Sequence, residues 1–460
     1  MNAPNLGNNH FTAQTNNHQI PNHFGNHNNH PTTAQKNRIF PVSLDLDVNY
    51  LSPNRKKIPL SLAKVKIEIK SLCGNIINEN ELNDLGFLQV SIGTITCLNS
   101  ISKTLDIEVD VTVKLSNKYI YITDTDITTG PLPIADNIRD AIKKEKNLGH
   151  YSFKLNGKIT KKTGALSINH IITGDNISII NGAVQTNVGS NFALIYACLT
   201  NAMRFTDTLA PDLKIKWEVL PVFIDSSHTG ARVFMVDSTI DLMQISIGYS
   251  WVPSAFLHEL GHHVMFRIYN SVTPPLVFIV STSIHRPCDA LGTNEAWAEG
   301  YASGYASIIG GHLGYVKAGT LDLEALGTVS PTTLLYSFLV ERYGCHMPSL
   351  DNDEGRIAAL IYDLADFAKD SIWDNEVVVL INQKKNEFPG INQHWFGLSN
   401  GVDDNGAAPI DIDVALIRLL YESKVPSLKG YFDALKVKYA GKTELLKAQE
   451  TIYYNYGPTI

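Results

Sequence analysis

The chain has 460 residues, a length that suits two or three domains around a substantial buried core. Charged residues make up only 18% of it, and 38 Lys plus Arg stand against 45 Asp plus Glu for a net charge of -7, which excludes a strongly basic duplex-binding surface; no nucleic-acid partner is expected. Five scattered cysteines, Cys73, Cys97, Cys198, Cys288 and Cys345, include no Cys-x-x-Cys pair, which argues against a disulfide scaffold or thiolate cluster and for buried small hydrophobes.

The 15 histidines are unevenly placed. Residues 1–38 are dominated by Asn, His, Thr, Gln and Pro, with too few aliphatic side chains to offset the entropy of folding, so a disordered tail is expected there. It holds His10, His18, His23, His27 and His30, whose irregular spacing reads as low complexity rather than as a metal tract. The start of the chain lacks the basic and apolar regions of a signal peptide, which makes the cytoplasm the default expectation for location. Apolar stretches such as 276–280 and 193–199 fall far short of the ~20 residues that span a bilayer, so no transmembrane segment is expected.

Residues 39–188 form short β-branched runs separated by turn residues. Leu105, Ile107, Val109, Val111, Val113 and Leu115 alternate with Asp106, Glu108 and Asp110, the period-two pattern of a strand buried on one side. Asn156-Gly157 and Asn181-Gly182 read as hairpin turns, and 134–148 reads as one helical interruption. An antiparallel, sandwich-like β domain follows from this pattern.

After about Gly189 the apolar spacing becomes helical. Phe192, Ile195, Tyr196, Leu199 and Met203 mark an amphipathic helix that ends before Pro211. Strands are expected over 215–224, 231–238 and 243–249, and long helices thereafter. The fold class is therefore α+β: a β-rich domain over 39–188 followed by a mainly helical domain with a small sheet over 189–460.

Chemistry concentrates in Phe256-Leu257-His258-Glu259-Leu260-Gly261-His262-His263, an H-E-x-x-H pattern on an apolar, helix-compatible run. Residues four apart share a helix face, so His258 and His262 can address one cation, while Glu259 sits beside it, where a base acting on water must be. His263 faces away and reads as a supporting or packing residue. A catalytic zinc site takes three protein ligands and one water. Downstream, Asn294-Glu295-Ala296-Trp297-Ala298-Glu299 places two carboxylates four apart on a helix rich in small residues, where Ala296, Ala298, Gly300, Ala302 and Gly304 permit close approach of a neighbour. Glu295 can reach the metal while Glu299, one turn on, accepts a hydrogen bond from a ligand imidazole; the exchanged assignment stays open because both lie on one face.

The pair of motifs resembles the gluzincin zinc metallopeptidases, the thermolysin-like and aminopeptidase-like group. That resemblance implies one catalytic Zn2+ held by His258, His262 and Glu295, with Glu259 as general base, Glu299 supporting the first histidine, and a peptide or protein as substrate. It also implies a Tyr or His donor for the developing oxyanion, for which Tyr336, Tyr343, His346 and His394 are candidates, and extracellular action as the alternative location. The gap from His262 to Glu295 is longer than in thermolysin, and the exopeptidase motif of the aminopeptidases is missing. Residues 353–366 resemble a helix found late in bacterial zincins, with Glu354 facing the cleft; a surface helix start with acids at its positive end is the competing reading. The strand expected from Ala231 onward can offer an edge to an extended peptide. Two other functions are weighed against proteolysis: an inactive zincin-fold binding or adhesion protein, and a zinc hydrolase of a non-peptide substrate. Oligomeric state is not legible in these residues.

Overall fold

The computed structural model describes residues 38–51, 56–71, 74–97, 107–123, 151–159, 165–172, 178–180, 183–185, 191–225, 230–237, 240–246, 249–250, 252–272, 291–316, 320–322, 337–339, 354–365, 410–425 and 427–442. The expected tail up to residue 37, the helix expected over 134–148 and the Asn181-Gly182 turn lie outside them.

The first part of the chain is β-rich. Strands β1 (Arg38–Leu51), β2 (Lys57–Pro59), β5 (Phe87–Cys97) and β9 (Ala165–Ile172) form one sheet, in which β1 pairs antiparallel with β2 and β5 and parallel with β9. A second, wholly antiparallel sheet runs β4 (Gly74–Glu81), β3 (Lys64–Ser71), β6 (Ile107–Lys114), β8 (Ser152–Ile159). Alternation explains both. Val65, Ile67 and Ile69 of β3 and Val109, Val111 and Val113 of β6 are buried and enter one core with Leu44, Leu46 and Val48 of β1. Their charged neighbours turn outward, where Lys70 Nζ reaches Asp110 Oδ2 at 2.6 Å across the strands. The β-rich part of the chain is thus two sheets, one wholly antiparallel and one that includes the parallel β1–β9 pair.

Asn156-Gly157 is not a turn. Both residues sit inside β8, with Gly157 opposite Val109 and Asn156 opposite Asp110. A Cβ on Gly157 would lie 2.5 Å from a Leu166 methyl carbon of β9, so the glycine is there to let Leu166 approach. Short strands β10 (Ser178–Ile180) and β11 (Ala183–Gln185) pair antiparallel, with Ile180 opposite Ala183.

The helical expectation for the next segment is met by α1 (Asn191–Leu209), which buries Ile195, Tyr196, Leu199 and Met203 and ends two residues short of Pro211. A third sheet follows, in the order β13 (Ala231–Asp237), β14 (Ile240–Ser246), β12 (Leu220–Asp225), β7 (Ile120–Ile122). Strand β12 is shorter than expected, because residues 215–219 are not strand. β13 pairs antiparallel with β14, while β12 pairs parallel with both β14 and β7. Position 189 therefore falls between elements that share a sheet, and the same two halves are tied by side chains. Asn117 Nδ2 donates to Tyr196 Oη and Thr200 Oγ1 of α1, and the Tyr196 hydroxyl donates to the Leu62 carbonyl at 2.9 Å.

Beyond the sheet lie α2 (Pro253–Ser271), α3 (Thr293–His312) and α4 (Glu354–Ala365), with the small pair β15 (Thr320–Asp322) and β16 (Ser337–Leu339) between the last two. Pro253 opens α2 at a position where its missing N–H costs nothing. A π-helical turn over Val414–Arg418 leads into α5 (Leu419–Ser423), and α6 (Leu428–Lys438) follows. The turn's carbonyls take hydroxyl donors: Tyr301 of α3 donates to the Leu416 carbonyl at 2.7 Å and Tyr431 of α6 to that of Ala415 at 3.0 Å. The architecture is α+β, as expected. Among the described residues, no helix is long and apolar enough to cross a membrane.

Candidate metal centre

The site is made by packing α3 against α2. Three helices meet here without room for side chains at their contacts. A Cβ on Gly261 of α2 would lie 2.7 Å from the Ala302 Cα of α3, and a Cβ on Gly300 would lie 2.8 Å from the Glu354 carbonyl oxygen of α4. The small residues of α3 thus perform the close packing that their sequence implied, on two sides at once.

That contact fixes the rotation and height of α3 relative to the two histidines. His258 and His262 lie one turn apart on α2, with ring centroids separated by 4.7 Å and nearly perpendicular planes. Glu299 comes between them from α3. Its Oε2 is 3.1 Å from His258 Nε2 and 2.9 Å from His262 Nε2, and the two Nε2 atoms are 3.0 Å apart. All three residues are buried.

Glu295, expected at this position, is elsewhere. It lies in the first turn of α3, where its Oε2 accepts from the Gly292 amide at 3.4 Å. A step of four residues along a helix is ~6 Å of rise, so only one of two acids on a shared face can be level with a given pair of imidazoles. The Gly261–Ala302 contact sets that level at Glu299. Glu299 rather than Glu295 is therefore level with the two imidazoles, as in the alternative that the sequence left open, but Glu295 meets its own helix start and does not take the supporting place of that alternative.

The chemistry of the three converging atoms favours a cation. His258 Nδ1 is 3.0 Å from Ser303 Oγ, and the Ser303 hydroxyl donates to Glu354 Oε1 at 3.1 Å. A serine has one proton to give, and it goes to Glu354. The Nδ1–H of His258 must then be the donor to Ser303, which leaves Nε2 with a lone pair aimed at a carboxylate oxygen and a second imidazole nitrogen. Two buried acceptors, His258 Nε2 and Glu299 Oε2, then face one another 3.1 Å apart, which is costly unless positive charge lies beside them. Donors ~2.0–2.1 Å from one tetrahedral ion stand roughly 3.3 Å apart. The observed separations of 2.9 to 3.1 Å need to open by only a few tenths of an ångström. Among the described residues His258, His262 and Glu299 are the one His/Cys/Asp/Glu group in which three ligand atoms come together in this way.

Glu259 is buried one residue along from His258 on the same helix. Glu354 is buried as the first residue of α4, so it is not a surface acid at a helix start. Tyr336, Tyr343, His346 and His394 lie outside the described residues. Two further groups were not legible in the sequence. Ser303 follows Glu299 by one turn and shares its face, a signal available only once α3 is known to face α2. Behind α2, His263 Nδ1 bonds to Asp241 Oδ2 of β14, and Arg267 reaches both Asp241 Oδ1 at 3.2 Å and Glu218 Oε2 at 2.7 Å. The support role expected of His263 is thus directed to the sheet rather than to the histidine pair.

No curated protein matches the chain. Residues 244–408, which include α2, α3 and α4, match the model of the mycolysin C-terminal domain. That match points to a peptidase-related protein, and the buried His258, His262 and Glu299 cluster, which could hold a metal ion, lies inside the matched stretch.

Proposed function

We propose that this protein is a zinc metallopeptidase in which His258, His262 and Glu299 hold one Zn2+ and Glu259 is the general base. The single observation that carries the reading is the convergence of His258 Nε2, His262 Nε2 and Glu299 Oε2 within 3.1 Å of one another in a buried position. Two imidazoles and one carboxylate are the ligand set of a catalytic rather than a closed structural zinc site, leaving a fourth position open. The ion, when bound, supplies Lewis acidity that lowers the pKa of water and polarises a carbonyl. Glu259, adjacent to His258, accepts the proton of the attacking water at a carboxylate oxygen and returns it to the leaving amine. Burial of Glu259 keeps bulk water from competing for that proton.

The substrate reading rests on the peptidase-related match and on the sheet beside α2. Among the described residues the sheet order ends on β13, whose neighbour on one side only is β14. A strand in that position presents backbone donors and acceptors to an extended peptide, so β13 is assigned to substrate binding by strand addition.

The test is a comparison of wild type with Glu259→Gln on denatured casein and a peptide library, with zinc content measured on both proteins. Wild-type cleavage, loss of about a hundredfold or more in the variant, and equal zinc content are expected. Equal cleavage by both would overturn the base assignment. Zinc-loaded wild type without any cleavage would favour a binding protein on a zincin scaffold.

A further inference from the structure

We propose that Glu354 and Ser303 act together as positioning residues for His258, a carboxylate on α4 setting the tautomer of an imidazole on α2 through a hydroxyl on α3. The proposal rests on the metal-site reading and deepens it. Metal-ligating histidines commonly give their second N–H directly to a carboxylate or carbonyl. Here the carboxylate does not touch the imidazole. Ser303 Oγ stands between them, 3.0 Å from His258 Nδ1 and 3.1 Å from Glu354 Oε1.

Each member is held by backbone packing rather than by its neighbours in the chain. Ser303 lies between Gly300 and Gly304, and a Cβ on either would come within 3.0 Å of α4 atoms, at Ile357 and Ile361 respectively. The side-chain-free contacts on both sides of Ser303 bring α4 close enough for Glu354 to reach its hydroxyl. Glu354 is the buried first residue of α4, at the positive end of the helix dipole, a place that suits an acceptor carboxylate. Glu354 Oε1 accepts the Ser303 hydroxyl, the Ser303 oxygen accepts the His258 Nδ1–H, and the Nε2 lone pair is left for the cation.

The arrangement in series makes a specific demand on mutants. Ser303→Ala breaks the link, and Glu354→Leu removes its acceptor. Either change is expected to weaken Zn2+ binding by 10- to 100-fold in competition with a chelator. The double variant is expected to lose no more than the worse single variant, because one interrupted relay cannot be interrupted again. Ser303→Thr keeps the hydroxyl and is expected to restore affinity to within a few-fold of wild type. Co2+ absorption spectra of the same proteins report the ligand geometry, and a change is expected in Ser303→Ala but not in Ser303→Thr. Melting temperatures in EDTA give the control: Ser303→Ala is expected to melt somewhat below wild type there, through the lost hydrogen bonds of a buried hydroxyl, and the gap is expected to widen on addition of Zn2+. Wild-type zinc affinity in Ser303→Ala, or additive losses in the double variant, would overturn the relay alone. Failure of wild type itself to bind Zn2+ would overturn the metal-site reading and the relay with it.

Discussion

Oε2 of Glu299 lies 2.9 Å from Nε2 of His262, although the two residues stand 37 positions apart on different helices. Glu295 makes no such approach and instead meets its own helix start. Exchange of each acid for its amide should therefore separate them. Glu299→Gln is expected to purify with little zinc, whereas Glu295→Gln is expected to keep nearly one ion per chain, both read by elemental analysis. Zinc lost from Glu295→Gln and retained by Glu299→Gln would reverse the assignment.

The height of Glu299 depends on a glycine. Placing a Cβ on Gly261 drives it to 2.7 Å from the backbone of Ala302, where no side chain can rotate away. Gly261→Ala is expected to destabilise the fold by about 1–3 kcal/mol, as overpacking does, despite the gain in helix propensity from alanine. Because the two helices must separate, zinc affinity should fall along with the urea midpoint. A variant as stable as wild type would show that α2 and α3 can slide apart freely.

Behind α2, Asp241 is buried against His263 and Arg267, both of which are buried too. Removing one partner of such a group leaves an uncompensated charge, typically at a cost of 3–5 kcal/mol. Asp241→Leu is expected to cost about 3 kcal/mol, the lower end, because Glu218 still faces Arg267. Urea denaturation followed by circular dichroism measures this, and a loss below ~1 kcal/mol would show that His263 and Arg267 do not need the carboxylate.

At the protein surface the sign of a pH effect can be read directly. Asp212 is held below the ordinary carboxylate range by its bidentate pairing with Arg418, at 2.5 and 2.8 Å. A depressed folded-state value means that the pair stabilises the fold above the ordinary carboxylate range and that this contribution is lost as pH falls through the folded value. Asp212→Asn should therefore melt below wild type at neutral pH, and the two should converge in acid. The gap should also narrow in high salt, since both groups face water. A gap that persisted at low pH would remove the ion pair as its cause.

Much of this molecule was legible because its periodicities are clean. The alternation of β6, the three-and-four spacing of α1 and the apolar flanks of His258 and His262 each specify an element without knowledge of its neighbours. What could not be read depends on neighbours. Asn156-Gly157 has turn chemistry, yet its glycine serves Leu166 on another sheet. Glu295 and Glu299 are equivalent on a lone helix, and only the contact of Gly261 with Ala302 makes them different. Ser303 has no motif at all; it becomes chemically distinct once α2 and α4 are seen to flank it. Local spacing specifies which residues share a face, and the relative height of two helices is set by packing between segments far apart in the chain.

The parallel pairing of β7 with β12 places Ile120 opposite Leu220. During synthesis β7 emerges from the ribosome about a hundred residues before its partner, several seconds at ordinary elongation rates. Through that interval the third sheet has no β12 on which to build, and the surface that α2 will rest on does not exist. Completion of the third sheet and assembly of the helices bearing His258, His262 and Glu299 on it thus come late, so the cluster of these three side chains arises only after most of the chain has been made.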